Sequence, residues 1–271
     1  MRIVLTVAGS DSGGGAGIQA DLKTFHQFGV FGTSVLAAVT AQNTRGVSAW
    51  EPVSPALITA QLDALLADLP PDAVKSGMLG STDAVRALAG ALRGLGGRPY
   101  VLDPVLVATS GDMLAQDGVP AALAAHLVPL AALVTPNLAE AETLTGAAVR
   151  TPDDMERAAA VLVRMGAGAA LVKGGHLPGD QVVDVLARRG GVRRFTHPRV
   201  DTTSTHGTGC TLSAAITAGL ALGRPLEPAV EDAIDFVRRA LASAPGLGGG
   251  QGPLNHFVPA PRGGPSTLSG G

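Results

Sequence analysis

Short apolar runs rich in β-branched residues alternate with helical segments of about a dozen residues, and this alternation limits the possible folds more than any other feature. Strands are expected at 3–8, 33–40, 73–76, 100–102 and 169–173, with another ending at 133–134. Between and after them, helices are expected at 17–28, 55–68, 82–92, 138–144, 152–165, 209–222 and 227–243. Ser54 before Pro55 and Thr151 before Pro152 are N-cap signals, and Gly166 is a stop signal. Segments 182–186 and 192–196 read as a more solvated strand pair joined by Arg188-Arg189-Gly190-Gly191. The pattern predicts an α/β fold in a single domain, a mostly parallel central sheet with helices on both faces. A chain of 271 residues can bury most of itself in one such core. With 46% hydrophobic but only 3% aromatic residues, that core is built from Ala, Val and Leu. The domain is expected over 1–258, with 259–271 a disordered, Gly- and Pro-rich tail.

In parallel sheets ligands sit at the carboxyl ends of the strands, so the residues just after each strand carry the functional signal. The first strand runs into GSDSGGGAG, a glycine cluster that opens into a helix. A dinucleotide fingerprint fails there, because counting from Gly13 and Gly15 puts Ile18 where a third glycine belongs. No Gly-Lys pair occurs anywhere in the chain, which excludes a Walker loop. Close approach of the backbone to a ligand remains, with Asp21 one turn into the helix; a flexible strand–helix turn is the plainer reading. Gln42, after the second strand, offers both a donor and an acceptor to a heteroaromatic edge, or is simply a loop residue. Met78 in KSGML packs on a planar ring or belongs to the core.

Asp103 in VLDPV holds a water on Mg²⁺ or forms a turn before Pro104. Asn137 and Glu140 in TPNLAEAE are three apart at a helix start, on one face, a spacing that suits a hydrated Mg²⁺ carried by ATP. Lys173 in VKGGH ends a strand and can reach a phosphate. It is one of three lysines, with Lys23 and Lys75, in a chain whose other fixed cations are all arginine. Gly207-Thr208-Gly209-Cys210 opens a long helix, where unpaired N–H groups and the helix dipole favour an anion. A thiol there is expected to have a lowered pKa and to serve as base or nucleophile; an inert buried cysteine is the alternative.

Taken in order, AGSDSGGGAGIQADLKTF, TAQNTRGV, KSGML, VLDPV, TPNLAEAE, VKGGH, HGTGCTLSAAI and more weakly GPLNHF resemble the ribokinase-like superfamily, and within it the hydroxymethylpyrimidine/phosphomethylpyrimidine kinases. The resemblance spans residues 7–257. It implies ATP-dependent phosphorylation of 4-amino-5-hydroxymethyl-2-methylpyrimidine and then of its monophosphate, in thiamine biosynthesis. It implies that Gly9, Asp21, Gln42, Met78 and Val105 bind the acceptor. Cys210 would be the base, Gly207, Thr208 and Gly209 would form with it the anion hole, and Lys173 would neutralise the transferred phosphate. ATP would meet Lys173, Asn137, Thr208 and Gly209, and Mg²⁺ would be organised by Asn137, Glu140 and Asp103, partly through water. The resemblance also implies a homodimer and leaves room for a monovalent cation. A pyridoxine/pyridoxal kinase is the nearest alternative.

A net charge of −2 argues against a nucleic-acid partner. The Ala/Leu-rich stretch 119–134 is too short for a membrane span and is broken by Pro129. Cys210 is the sole cysteine, so no internal disulfide forms, and a cytoplasmic setting is expected.

Overall fold

The computed structural model describes residues 1–108 and 110–261. Of the tail expected at 259–271, residues 262–271 lie outside the described residues. The described residues form nine strands: β1 (Ile3–Ser10), β2 (Phe31–Asn43), β3 (Gly46–Pro52), β4 (Ala73–Ser76), β5 (Tyr100–Leu102), β6 (Leu133–Val134), β7 (Ala169–Val172), β8 (Gln181–Arg188) and β9 (Gly191–Pro198). Eight α-helices accompany them: α1 (Gly17–Gln27), α2 (Pro55–Asp68), α3 (Thr82–Arg93), α4 (Val119–His126), α5 (Leu138–Thr145), α6 (Pro152–Arg164), α7 (Thr208–Ala221) and α8 (Leu226–Ala242).

All strands join one sheet in the order β3-β2-β1-β4-β5-β6-β7-β8-β9. The six from β2 to β7 run parallel, and each edge is closed by an antiparallel hairpin, β2–β3 and β8–β9. This is the expected α/β architecture. Neighbouring residues of the inner strands point to opposite faces, so the strands read as continuous apolar runs with both sides buried. Leu5, Leu102 and Val134 pack under α2–α6, whereas Val101 and Leu133 face α7 and α8 and Val4 faces α1 and α7. Helix α7 is buried almost all round, between the sheet, α1 and α8, and only small residues such as Ala214, Ala215 and Ala218 fit there.

Two elements escaped sequence expectation. β3 is an edge strand with little burial, so no apolar face announces it. α4 is apolar around its whole circumference and lacks helical periodicity, and its cap is Gly118 with φ +82° rather than a polar side chain. Among the described residues no helix is long and apolar enough to cross a membrane.

One ionic contact ties helix to sheet beneath the carboxyl edge. Lys75 on β4 and Asp21 on α1 are both fully buried, with Lys75 Nζ donating to the two carboxylate oxygens at 2.7 and 2.8 Å. Thr6 Oγ1 on β1 donates to the same carboxylate at 2.6 Å. Burial favours the neutral amine, but the Asp21 carboxylate outweighs it and holds Lys75 above its usual value. Removing one partner strands the other charge in the core. Lys75→Met is therefore expected to cost about 3–5 kcal/mol in chemical denaturation, and Lys75→Met/Asp21→Leu to recover most of it.

Candidate active site

A cleft of about 750 Å³ runs along the carboxyl edge of the sheet and gathers residues from the ends of the parallel strands and the starts of α1, α5 and α7. At one end it is bounded by Gly9, Gln42, Met78 and Val105, in the middle by Lys173, Glu140 and the start of α7, and at the other by Leu212, Val237 and Leu241. The far end was missed from sequence, because Leu212, Val237 and Leu241 lie within α7 and α8 rather than just after strands.

The glycine-rich loop is already filled by an anion of its own. Asp11, 2% exposed, accepts hydrogen bonds from the N–H groups of Gly13 at 2.8 Å, Gly15 at 2.9 Å and Ala16 at 2.8 Å. His206 Nε2 donates to it at 2.8 Å. Burial alone would raise the Asp11 carboxyl, but His206 and the loop N–H groups outweigh it and hold the group below its usual range. The loop is thus a backbone nest occupied by a side chain, which is why it matches no phosphate motif. Lys23, placed on a solvated helix face by its sequence, reaches back to the Gly14 carbonyl at 2.6 Å.

Gly9, Gln42, Met78 and Val105, expected around the acceptor, do line one end of the cleft. Gly9 donates from its N–H to the Met78 carbonyl at 3.0 Å, and a Cβ on Gly9 would come within 2.9 Å of Met78 Sδ. A side chain there would push the methionine, so glycine keeps that wall in place. Asp21 is the correction. Expected to read the acceptor, it is instead the buried partner of Lys75 and Thr6 and forms no part of the cleft wall. The one-turn spacing into the helix that placed Asp21 near the loop points its side chain inward, at the sheet. The scarcity of lysine singles out Lys75 as one of three but gives it no role, since its partner lies 54 residues away.

A second buried pair stands in the middle of the cleft. Lys173 Nζ donates to Asp103 Oδ1 at 2.8 Å, and Thr135 and Ser213 hydroxyls donate to the same carboxylate at 3.1 and 3.2 Å. Burial opposes ionisation of Asp103, yet Lys173 and Lys75 prevail and hold it below the usual carboxylate range. Lys173 is aligned by backbone pairing with Asn137 beyond β6 and β7. A Cβ on Gly209 would approach Lys173 Nζ to 3.0 Å, so the ammonium lies directly against the first turn of α7.

That turn is open to an anion. Gly207 caps α7 at φ +83°, and a Cβ there would fall 1.8 Å from the Gly15 carbonyl oxygen, so the position admits only glycine. The N–H groups of Gly209 and Cys210 have no partner among the described residues. Thr208 turns its hydroxyl to the Thr205 carbonyl at 2.7 Å. The lowered thiol pKa expected for Cys210 is not found: burial pushes it up to about 11, against the pull of Lys75. Desolvation, with Asp21 and Asp103 nearby, outweighs the helix dipole and one ammonium.

Asn137 and Glu140 form a capping box at the start of α5. Asn137 Oδ1 accepts the Glu140 N–H at 2.9 Å, and Glu140 Oε2 accepts the Asn137 N–H at 2.8 Å. Both line the cleft, but each spends one oxygen on the helix. Burial raises the Glu140 carboxyl to about 7, against the pull of Lys173. Among the described residues no three His, Cys, Asp or Glu side chains converge on a metal. The donors therefore suit a Mg²⁺ that arrives with phosphate oxygens and water, not a metal caged by protein.

The chain is similar to known proteins along nearly its whole length. A family model described as phosphomethylpyrimidine kinase matches residues 11–255. A hydroxymethylpyrimidine/phosphomethylpyrimidine kinase from Rhizobium meliloti (strain 1021) is 52% identical, the match covering 94% of this chain and 97% of that one. The crystal structure of a phosphomethylpyrimidine kinase from Clostridium difficile 630 superposes with a TM-score of 0.79 at 40% identity, over 89% of this chain and 99% of that one. The pyridoxal kinase from Staphylococcus aureus in complex with AMP-PCP superposes with a TM-score of 0.88 at 33% identity, over 94% and 93% of the two chains. A family model that spans nearly all of the sheet and cleft, with a relative above half identity, means that the chain belongs to the phosphomethylpyrimidine kinase family.

Proposed function

We propose that this chain transfers the γ-phosphoryl group of ATP to the hydroxymethyl group of 4-amino-5-hydroxymethyl-2-methylpyrimidine, and then a second phosphoryl group to the monophosphate, for thiamine biosynthesis. The observation that carries the proposal is the placement of the Lys173 ammonium against the open first turn of α7, inside the cleft. Phosphoryl transfer calls for positioning and charge stabilisation more than covalent help. Both cationic features converge where the group in flight would sit.

The acceptor then occupies the end bounded by Gly9, Gln42, Met78 and Val105, with the Gln42 amide facing the aminopyrimidine edge and Met78 against its ring. The nucleotide base takes the end bounded by Leu212, Val237 and Leu241. Asn137 Nδ2, Lys173 and the N–H groups of Gly209 and Cys210 donate to phosphate oxygens. Glu140, with Asp103 behind Lys173, would hold the water shell of a Mg²⁺ carried in with the nucleotide, and that metal would supply charge neutralisation. Cys210 stands beside the acceptor hydroxyl as a neutral thiol. In a loose transition state the hydroxyl proton leaves late, so little basicity is required there. A cytoplasmic homodimer is the setting we propose.

The higher TM-score with a pyridoxal kinase favours pyridoxine as a second acceptor, while sequence identity favours the pyrimidine. Incubation of the purified protein with Mg-ATP and each alcohol, with products separated by phosphate count, decides between them. The pyrimidine is expected to give mono- and diphosphate, and Gln42→Ala to raise KM for the pyrimidine about tenfold or more while leaving pyridoxine little changed. Equal losses on both alcohols would remove Gln42 from the role. Lys173→Met is expected to lower kcat about 10²- to 10³-fold with a smaller change in KM for ATP, the signature of charge stabilisation in flight. For Cys210, with its thiol pushed up to about 11, iodoacetamide alkylation is expected to accelerate continuously from pH 7 to pH 10. A plateau near neutrality would mean a depressed thiolate and restore the stronger base reading.

A further inference from the structure

Asp11 has no counterpart in the functional reading so far, yet it is the most heavily bonded side chain of the cleft. Its carboxylate accepts from Gly13, Gly15 and Ala16 in the acceptor loop, and from His206, the residue just before the Gly207 cap of α7. The two segments it joins lie 195 residues apart in sequence. They are also pressed together. A Cβ on Gly15 would strike His206 Cδ2 at 2.6 Å, and one on Gly207 would strike the Gly15 carbonyl oxygen. The glycines at both places are what allow the ring to reach the carboxylate.

The same contact frees Gln42. Its Nε2 lies 3.5 Å from His206 Nε2, whose proton is committed to Asp11, so the amide N–H groups of Gln42 are not spent inside the protein. Gln42 Oε1 lies 3.2 Å from the Thr40 hydroxyl, whose single proton also reaches the Ser10 carbonyl at 2.8 Å.

We infer that Asp11 is a positioning residue, a built-in anion that fills the nest of the acceptor loop and, through His206, locks that loop to the phosphate-binding start of α7. The inference rests on the reading of residues 9–17 as the acceptor side of the cleft. It gives one carboxylate the task of setting the distance between the acceptor hydroxyl and the anion hole. It also explains why an acidic residue stands where a phosphate loop would have none: a nest left empty would draw free phosphate into the acceptor end.

The test replaces the carboxylate from outside. Asp11→Gly, purified with formate present and then desalted, is expected to lose about 30-fold or more in kcat while KM for ATP changes less than about threefold. Adding back sodium formate is expected to restore at least about tenfold of that loss and to raise the variant's melting temperature by several degrees, with neither effect on the wild type. His206→Ala leaves the three loop hydrogen bonds in place and is expected to lower kcat for the acceptor with a melting temperature near that of the wild type. If Asp11→Gly keeps wild-type kcat, if formate neither restores activity nor raises its melting temperature, or if His206→Ala is fully active, the inference is overturned. Should the wild type phosphorylate no pyrimidine alcohol, the functional reading fails by itself, and formate-dependent melting of Asp11→Gly still tests the filled nest.

Discussion

Two lysine ammonium groups lie buried at or beneath the carboxyl edge of this sheet, and the site exists only because each rests on an aspartate. An isolated buried ammonium would shed its proton or unfold its surroundings. Lys75 against Asp21 and Lys173 against Asp103 avoid that outcome, and hydroxyls from Thr6, Thr135 and Ser213 satisfy the remaining carboxylate lone pairs. The pairs differ in placement. The Lys75 pair is sealed and structural, while Lys173 faces the cleft, so its charge is held protonated yet open to an anion there.

Around these pairs the fold sorts anions by where it leaves N–H groups free. The glycine loop after β1 has a nest, but Asp11 occupies it. The start of α7 has no side-chain cap, so its N–H groups stay open to solvent or ligand. Helix α5 is closed by the box of Asn137 and Glu140. One open anion site in the middle of the cleft, flanked by two closed ones, is a simple way to direct a single phosphate to a single place. Cys210 sits in that turn as a protonated thiol, since desolvation outweighs the dipole that would ionise it.

Much of this was legible in the chain. Strand–helix alternation gave the layered sheet, and the rule that ligands bind at strand carboxyl ends picked out Gln42, Met78, Asp103, Asn137, Glu140, Lys173 and the Gly207–Cys210 turn; the family resemblance added Gly9 and Val105, and all of these line one cleft. These are short-range matters: a strand's end and a helix's start are fixed by local periodicity, glycine and capping residues. β3 and α4 were not legible, because an exposed edge strand and a helix apolar on every side lack the contrast that periodicity needs.

Asp11, Asp21, Lys75 and His206 mark the boundary most clearly. By itself the sequence determined which residues stand at the mouth of the sheet and that a glycine loop there approaches something closely. Only the tertiary structure decided what that something is. Asp11 meets His206 and Asp21 meets Lys75 across 195 and 54 residues, and such pairings follow from how the layers pack, not from spacing along the chain. The same packing sets the dielectric around each charge, so the pKa of Cys210 and Glu140 could be read only once burial and charged neighbours were in place.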